Sequence, residues 1–350
     1  MAENTVRIVQ IGCGYWGPNV LRNLVNHSNI ELVGVIDTDP QVKNWIKEHY
    51  PDIPVQANFD LDLLDHWQAQ AVVIATPAHT HYDLAIQVLS SGRHCLVEKP
   101  LARTSKECEA LIKAASSNGQ ILMVGHTFLY NSVVRELRRI IKSGDLGEIY
   151  YSHAQRLNLG RIRKDIDVAW NLAPHDISIL IYLFDNSPVR VAARGVSFIQ
   201  KQIADVAFLE LEFPDGKYAL IHVSWLDPQK IRRITIVGSE KMAVYDDVAE
   251  KKLTIYDKGV DRMHPENATL GDFDDFGTFQ LRLRAGGITI PQINFLEPLK
   301  VEVAEFINAI SENRPALTDG TNGLLTVRVL EAVSKSMANN GKLIEVLAPL

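Results

Sequence analysis

The 350-residue chain has only three cysteines, Cys13, Cys95 and Cys108. They are too few and too widely spaced for a disulfide framework or a zinc site, so no metal is expected. No apolar run approaches the length that spans a bilayer, and the opening stretch MAENTVRIVQIG carries no cleavable apolar segment. A soluble, cytoplasmic protein of a reducing compartment, with no membrane partner, is the expectation. Positive charge is not in excess either. Lysine plus arginine is 36 against 42 aspartate plus glutamate, a net charge of −6. A binder of nucleic acid or of an acidic membrane would need a basic face, so neither partner is expected, although one local basic pocket remains possible. There is no internal repeat and no low-complexity tract. With 46% hydrophobic and 22% charged residues, disordered, collagen-like and coiled-coil chains are also excluded. Single cores stop growing near roughly 250–300 residues, so two domains are expected.

The first third of the chain alternates short apolar runs with helical patterns. Val6–Ile11, Leu32–Ile36, Ala71–Ala75, Cys95–Val97 and Ile121–Val124 read as buried strands. Between them lie a helix with Pro18 in its first turn, a helix from His81 to Ser91 closed by Gly92, and one opened by a Thr104–Glu107 capping box. This alternation predicts a parallel sheet covered on both faces. After Gly147 the pattern becomes mainly antiparallel. Strands are expected at 150–156, 189–198, 206–213, 218–225, 231–237 and 241–245, with the turn Pro214-Asp215-Gly216 joining two of them. A helix is expected around His175–Phe184, a hairpin around Ala285-Gly286-Gly287 in an otherwise pattern-poor 258–296, and closing helices from Pro298 and near Leu324–Met337.

The segment GCGYWG sets Gly12, Gly14 and Gly17 between the first strand and the first helix, with Tyr15 and Trp16 in the loop. Gly12 allows a tight turn, Gly14 lets backbone approach a pyrophosphate, and Gly17 lets the helix lie close to the strand. Asp37, twenty residues past Gly17 and followed by Thr38, ends the second strand. A carboxylate there accepts hydrogen bonds from ribose hydroxyls and repels a 2′-phosphate, by about 4 kcal/mol for unit charges roughly 4 Å apart at an effective dielectric near 20. The pattern points to a dinucleotide, and to NAD over NADP, since no arginine or lysine adjoins Asp37.

Lys99, in Glu98-Lys99-Pro100, follows a strand and so stands at the carboxyl edge of the sheet, where ligands bind. In WNLAPHDISIL a helix would place Asn171 and His175 on one face. A histidine can take the proton of an alcohol while hydride leaves the same carbon.

Taken in order, GCGYWG, ATPAHTHYDLA, EKPL, GHTFLYN and Asn-x-x-x-His resemble the glucose–fructose oxidoreductase/inositol dehydrogenase/MocA family over nearly the whole chain. The resemblance implies an α/β protein: an N-terminal Rossmann domain with a doubly wound parallel sheet, 1–126, and a C-terminal α/β domain with a large, mostly antiparallel open sheet, 127–350, whose last helices can return to the first domain. It implies an NAD(P)-dependent oxidoreductase acting on a CH–OH group, with Lys99 and His175 as the catalytic pair. Thr76, Pro77, His79, His81 and Glu98 would line the cofactor with the glycine loop, and the open sheet would join copies into a dimer or tetramer. The family usually has aspartate where this chain has Asn171; an amide is not a base but still hydrogen-bonds a sugar hydroxyl.

Four cations, Arg156, Arg161, Arg163 and Lys164, precede the Asn171–His175 helix in a chain that is acidic overall. Arginine forks suit phosphate, which points to a diphosphate-bearing substrate met by Arg156, Arg161 and Arg163, with Tyr130, Asn131, Trp170 and Asn171 around the sugar. GHTFLYN, RLNLGRIR, WNLAPHDISILIYL and ITIPQINFLEPLK look like the segments of nucleotide-sugar 3-dehydrogenases. Those oxidise the 3-hydroxyl of a substrate such as UDP-N-acetylglucosamine with NAD, leaving a 3-keto sugar for a pyridoxal-phosphate aminotransferase. Three alternatives stand beside this: oxidation of a free polyol, inositol or aldose; reduction of a keto sugar with NADPH, which Asp37 opposes; and a non-catalytic NAD sensor, which the presence of Lys99 and His175 opposes.

Overall fold

The computed structural model describes residues 5–262 and 281–347. The chain divides into two units. One runs to Asn131 and takes in Leu296–Glu331; the other is Ser132–Phe295 with the segment from Ala332 onward. One C-terminal helix and most of another count with the first unit.

The first unit is built from β1 (Val6–Ile11), α1 (Gly17–Val25), β2 (Ile30–Ile36), α2 (Pro40–His49), β3 (Val55–Gln56), α3 (Leu61–His66), β4 (Ala71–Ile74), α4 (His81–Ser90), β5 (His94–Glu98), α5 (Ser105–Ser117) and β6 (Leu122–Gly125). The strands form one parallel sheet in the order β3-β2-β1-β4-β5-β6. Its central strands are buried at nearly every position, β4 at all four, as a sheet covered on both faces requires. Thr104 and Glu107 make the expected capping box at α5. Sequence reading passed over α2, β3 and α3. The signals were present: Asp39 caps α2 by accepting from the Gln41 N–H at 2.8 Å, with Pro40 as its first residue, and Asp60 caps α3.

The second unit holds α6 (Ser132–Lys142), β7 (Ile149–Leu157), α7 (Val168–Phe184), β8 (Arg190–Val196), β9 (Val206–Glu212), β10 (Tyr218–Ser224), β11 (Ile231–Gly238), β12 (Met242–Asp246), β13 (Leu253–Arg262) and β14 (Leu281–Thr289). Then come α8 (Pro298–Glu312) of the first unit, α9 (Gly320–Ala338) and β15 (Ile344–Glu345). The nine-stranded sheet has the order β14-β13-β12-β11-β7-β10-β9-β8-β15, antiparallel except for the central β10–β7 pair. Burial alternates along β9 and β10: Ala207, Leu209, Leu211, Ala219, Ile221 and Val223 face the core, while Phe208 and Leu220 are exposed on the other face.

Two expectations are corrected here. The helix expected from His175 starts at Val168, where Asp167 accepts from the Trp170 N–H at 2.9 Å, and Pro174 lies inside it. The hairpin expected at Ala285–Gly287 is the middle of β14, which pairs with β13 across a register shift at Tyr256/Lys258. Gly286 marks a close approach instead of a turn: a Cβ there would stand 2.2 Å from Asp257 Oδ2. Among the described residues no helix is long and apolar enough to cross a membrane.

Candidate functional site

In the first unit the chemistry collects at the carboxyl ends of β1, β2, β4 and β5. Gly12 has φ +87°, and a Cβ on it would stand 2.7 Å from both the Ala75 carbonyl oxygen and Thr76 Cγ2, so only glycine fits. A Cβ on Gly17 would meet the Gly12 carbonyl oxygen at 2.9 Å, whereas nothing lies within 4 Å of one on Gly14. The loop is thus tight where it turns and open where a ligand would approach. Buried Gln10, which sequence reading missed, fastens it by donating through Nε2 to the Gly12 and Gly17 carbonyls at 2.8 and 3.0 Å.

Asp37 is fixed against this loop. Its Oδ2 accepts from the Cys13 N–H at 2.7 Å and its Oδ1 from the Asp39 N–H at 2.8 Å. Each carboxylate oxygen retains acceptor capacity for a ribose hydroxyl. A depression of about 330 Å³ opens beside it, lined by Cys13, Gly14, Pro18, Asp39, Gln41, Val42 and Trp45. The open glycine, the anchored carboxylate and this apolar-walled depression fit the adenosine and pyrophosphate of a dinucleotide.

The other residues expected around the cofactor separate into two groups. Tyr15, Thr38, Pro77 and His79 are exposed, Trp16 is partly so, and Thr76 bonds the Thr80 hydroxyl at 2.6 Å. His81 is different. It is 1% exposed, with Nδ1 2.8 Å from the Pro100 carbonyl and Nε2 2.9 Å from the Thr76 carbonyl. The expectation that its side chain lines the cofactor is corrected: it ties the loop after β4 to the loop after β5. Burial lowers its pKa, against the two carbonyls, which favour the protonated ring.

Glu98 and Lys99 follow at the end of β5, both half-buried. The Trp16 Nε1–H donates to Glu98 Oε1 at 2.8 Å, which joins the glycine loop to the lysine's neighbour. Burial outweighs the favourable Lys99 charge and pushes the Glu98 pKa up to about 7. His126, a second residue that sequence reading missed, is buried at the end of β6 and contacts Asn322 Oδ1 through Nδ1 at 2.6 Å. Burial, helped by the Lys99 charge, drives its pKa down to about 4. A ring neutral at physiological pH gives the lysine no competing cation.

Tyr130 and Asn131, expected at the substrate, are each 1% exposed. The Tyr130 hydroxyl bonds Thr318 Oγ1 at 3.0 Å, and its ring packs with Met123, Leu299, Val303 and Phe306. For Tyr130 the expected contact with a sugar is corrected to a place in the core of the first unit.

In the second unit α7 carries Trp170, Asn171 and His175. Asn171 Oδ1 accepts from Nε1–H of buried Trp225 at 3.1 Å, and Trp170 Nε1–H donates to Ser334 Oγ at 2.8 Å. Trp225 has no local signal for this role, because it lies 54 positions along the chain from Asn171. The expected cluster of four cations is broken up. Arg156 is 5% exposed and closes a bidentate pair with Asp176, 2.9 Å on both arms, so it anchors β7 to α7 and is not open to phosphate. Arg163 pairs with Asp165 at 2.9 and 2.6 Å. Arg161 and Lys164 are exposed. Among the described residues no group of three or more His, Cys, Asp or Glu side chains could hold a metal ion.

Residues 6–126 match the GFO_IDH_MocA oxidoreductase family with its NAD-binding Rossmann fold, and residues 134–244 match the GFO/IDH/MocA C-terminal domain. The chain is 28% identical over 257 residues to UDP-N-acetylglucosamine 3-dehydrogenase of Acidithiobacillus ferrooxidans, covering 73% of this chain and 75% of that protein. It is 30% identical over 221 residues to inositol 2-dehydrogenase of Burkholderia multivorans, covering 61% and 65%. A solved structure of the Acidithiobacillus enzyme superposes with a TM-score of 0.77 at 25% identity, over 96% of this chain and 98% of that one.

Proposed function

Because the chain belongs to the Gfo/Idh/MocA family of oxidoreductases acting on CH–OH groups, with NAD as cofactor, we propose that it oxidises the 3-hydroxyl of a nucleotide-activated sugar, UDP-N-acetylglucosamine. The observation that carries this reading is the similarity to UDP-N-acetylglucosamine 3-dehydrogenase along three quarters of both chains. The glycine loop and Asp37 hold the dinucleotide, and Asp37 disfavours a 2′-phosphate. Bound NAD supplies the hydride acceptor. Lys99 and His175 are the groups we assign to the hydroxyl proton, His175 as base and Lys99 as donor to, and acceptor from, the alcohol oxygen. Asn171, steadied by Trp225, orients a hydroxyl through its amide, since it cannot relay charge. Arg161, exposed on the basic segment, is the cation we assign to the diphosphate.

The test is NAD reduction followed by absorbance across UDP-sugars, the free N-acetylhexosamine, myo-inositol and aldoses. UDP-N-acetylglucosamine should give the highest kcat/KM, with NAD preferred to NADP. Equal turnover of the free sugar would replace the nucleotide-sugar reading with a polyol or inositol dehydrogenase. Asp37→Ser should bring NADP up toward NAD; a wild-type preference for NADP would refute the ribose argument.

The 3-keto product is chemically suited to a pyridoxal-phosphate aminotransferase, which we take as the consuming reaction. The face of the nine-stranded sheet that exposes Phe208 and Leu220 is our candidate for joining copies of the chain into a dimer or tetramer. Light scattering should give a multiple of the chain mass, reduced by Phe208→Lys; a monomer would remove this assignment.

A further inference from the structure

A large apolar side chain exposed singly needs no explanation, but three of them on two joined loops do. In the second unit Phe198 is 68% exposed, Ile199 58% and Leu159 76%. Phe198, expected as the last residue of a strand, lies beyond β8, which ends at Val196. Buried Asp205 fastens the bend from inside. Its Oδ2 accepts from the backbone N–H groups of Phe198 and Ile199, at 2.7 and 2.8 Å, while both side chains remain exposed.

The sheet brings this bend to the basic segment and to the start of α7. Val196, Val206, Ser224 and Leu157 form one row across β8, β9, β10 and β7. The chain leaving β8 and the chain leaving β7 therefore emerge at the same end of the sheet, three strand spacings or about 14 Å apart. Backbone bonds then draw the two loops together around Trp225. Its N–H donates to the Asp205 carbonyl at 3.0 Å, and its carbonyl accepts from the Gly160 N–H at 3.3 Å. Gln200 closes the gap, its Nε2 donating to the Arg163 carbonyl at 2.7 Å. The Val168 N–H donates to the Ala204 carbonyl at 3.0 Å, which seats the β8–β9 loop against the first turn of α7, and the Trp225 indole N–H reaches Asn171 on the same helix. Exposed Arg161 and Lys164 stand on the joined segment.

We propose that Phe198 is the platform on which the nucleobase of the sugar nucleotide stacks, with Ile199 and Leu159 extending its apolar surface. The inference rests on the nucleotide-sugar reading above and adds the subsite for the base. A nucleoside diphosphate needs two unlike surfaces side by side, a flat apolar one for the base and a cationic one for the phosphates. Phe198 and Arg161 supply them on loops tied together by Gln200, beside the helix that carries Asn171 and His175. A second copy of this chain seated here would bury Arg161 and Lys164 along with the apolar side chains, at a desolvation cost, whereas a nucleotide meets them with its own charge. Every base has a π-face, so the platform holds a nucleotide without reading which base it carries. Contact so far from the reacting hydroxyl is the same in ground and transition states, and it therefore acts on KM.

The test compares the wild type with Phe198→Ala, Phe198→Leu and Phe198→Tyr in turnover of UDP-N-acetylglucosamine and of the free N-acetylhexosamine, at saturating NAD. Phe198→Ala should raise KM for the UDP-sugar roughly ten- to a hundredfold, the scale of a lost base stack, with kcat held within about twofold. Phe198→Tyr keeps a ring and should restore KM; Phe198→Leu is apolar without a ring and should not. The weak activity on free sugar should be untouched in all three, and urea unfolding should match the wild type, since Phe198 is exposed. A second readout is saturation-transfer NMR of UDP on the NADH-bound enzyme. The uracil ring protons should receive the strongest saturation in the wild type and lose it in Phe198→Ala. If the enzyme prefers the UDP-sugar but Phe198→Ala changes neither KM nor the uracil signal, the platform is overturned and the nucleotide-sugar reading stands. If the wild type turns over free sugar as well as UDP-sugar and shows no uracil signal, that reading fails and takes the platform with it. A smaller particle mass in Phe198→Ala with KM unchanged gives the loop to a contact between copies and likewise overturns the proposal.

Discussion

The two units arrange their polar chemistry by different rules. In the first, the glycine loop, Asp37, Thr76, Glu98 and Lys99 come from the ends of neighbouring parallel strands, so topology alone gathers them at one edge. In the second, Asn171 and His175 share a helix, but what fixes that helix arrives from elsewhere: Arg156 from β7, Trp225 after β10, and Ser334 from α9. A parallel sheet concentrates its functional residues by construction. A mostly antiparallel one needs individual side-chain ties, and each tie is a point at which the site can be broken separately.

The largest effect should come from cutting such a tie. Arg156→Met leaves Asp176 buried and unpaired, which costs about 3–5 kcal/mol. The double variant Arg156→Met/Asp176→Leu should recover most of the loss in urea unfolding. If the single variant unfolds like the wild type but binds substrate poorly, Arg156 belongs to the diphosphate after all and the contrast between the units weakens.

In the first unit the corresponding cost depends on pH. The folded pKa of His126, about 4, lies below its ordinary value of 6.5, so the stabilisation from keeping it neutral is complete above pH 6.5. It is lost as the pH falls from 6.5 toward 4, and is worth on the order of 3 kcal/mol. His126→Gln should flatten that part of the stability profile. Glu98 works in the opposite sense, its raised pKa making the fold relatively more stable at the acid end and less so as the pH rises from 4.5 through about 7. An unchanged acid slope in His126→Gln would show that the ring is charged in the folded protein.

Next in size are the two groups assigned to proton transfer. Lys99→Met and His175→Asn should each lower kcat roughly a hundredfold or more while changing NAD affinity little. Near-normal turnover in His175→Asn would leave Lys99 as the sole base and locate the acid–base chemistry in the first unit.

Arg161→Ala should have the smallest and most selective effect. KM for a UDP-sugar should rise roughly ten- to a hundredfold with unfolding unchanged, while the weak activity on free N-acetylhexosamine is hardly touched. A stability loss resembling that of Arg156→Met would mean that Arg161 also serves the fold.

Much was written in the sequence. Gly12, Gly14, Gly17 and Asp37 were legible because their roles depend on backbone conformation and on spacing along one strand–turn–helix unit. The Thr104–Glu107 cap and the strands of both sheets were legible for the same local reason. Tertiary structure decided the rest, because it turned on which side chains meet across long stretches of chain. Arg156 and Arg163 are both arginines in one basic segment, yet one is sealed in the core by Asp176 and the other lies near the surface beside Asp165. His81 looks like a cofactor residue in ATPAHTHYDLA until two carbonyls, of Thr76 and of Pro100, are seen to enclose it. Glu98 and Glu302 are ordinary glutamates 204 positions apart in the sequence. Burial in the first unit pushes the pKa of both up, and desolvation is a property of the fold that no spacing of residues encodes.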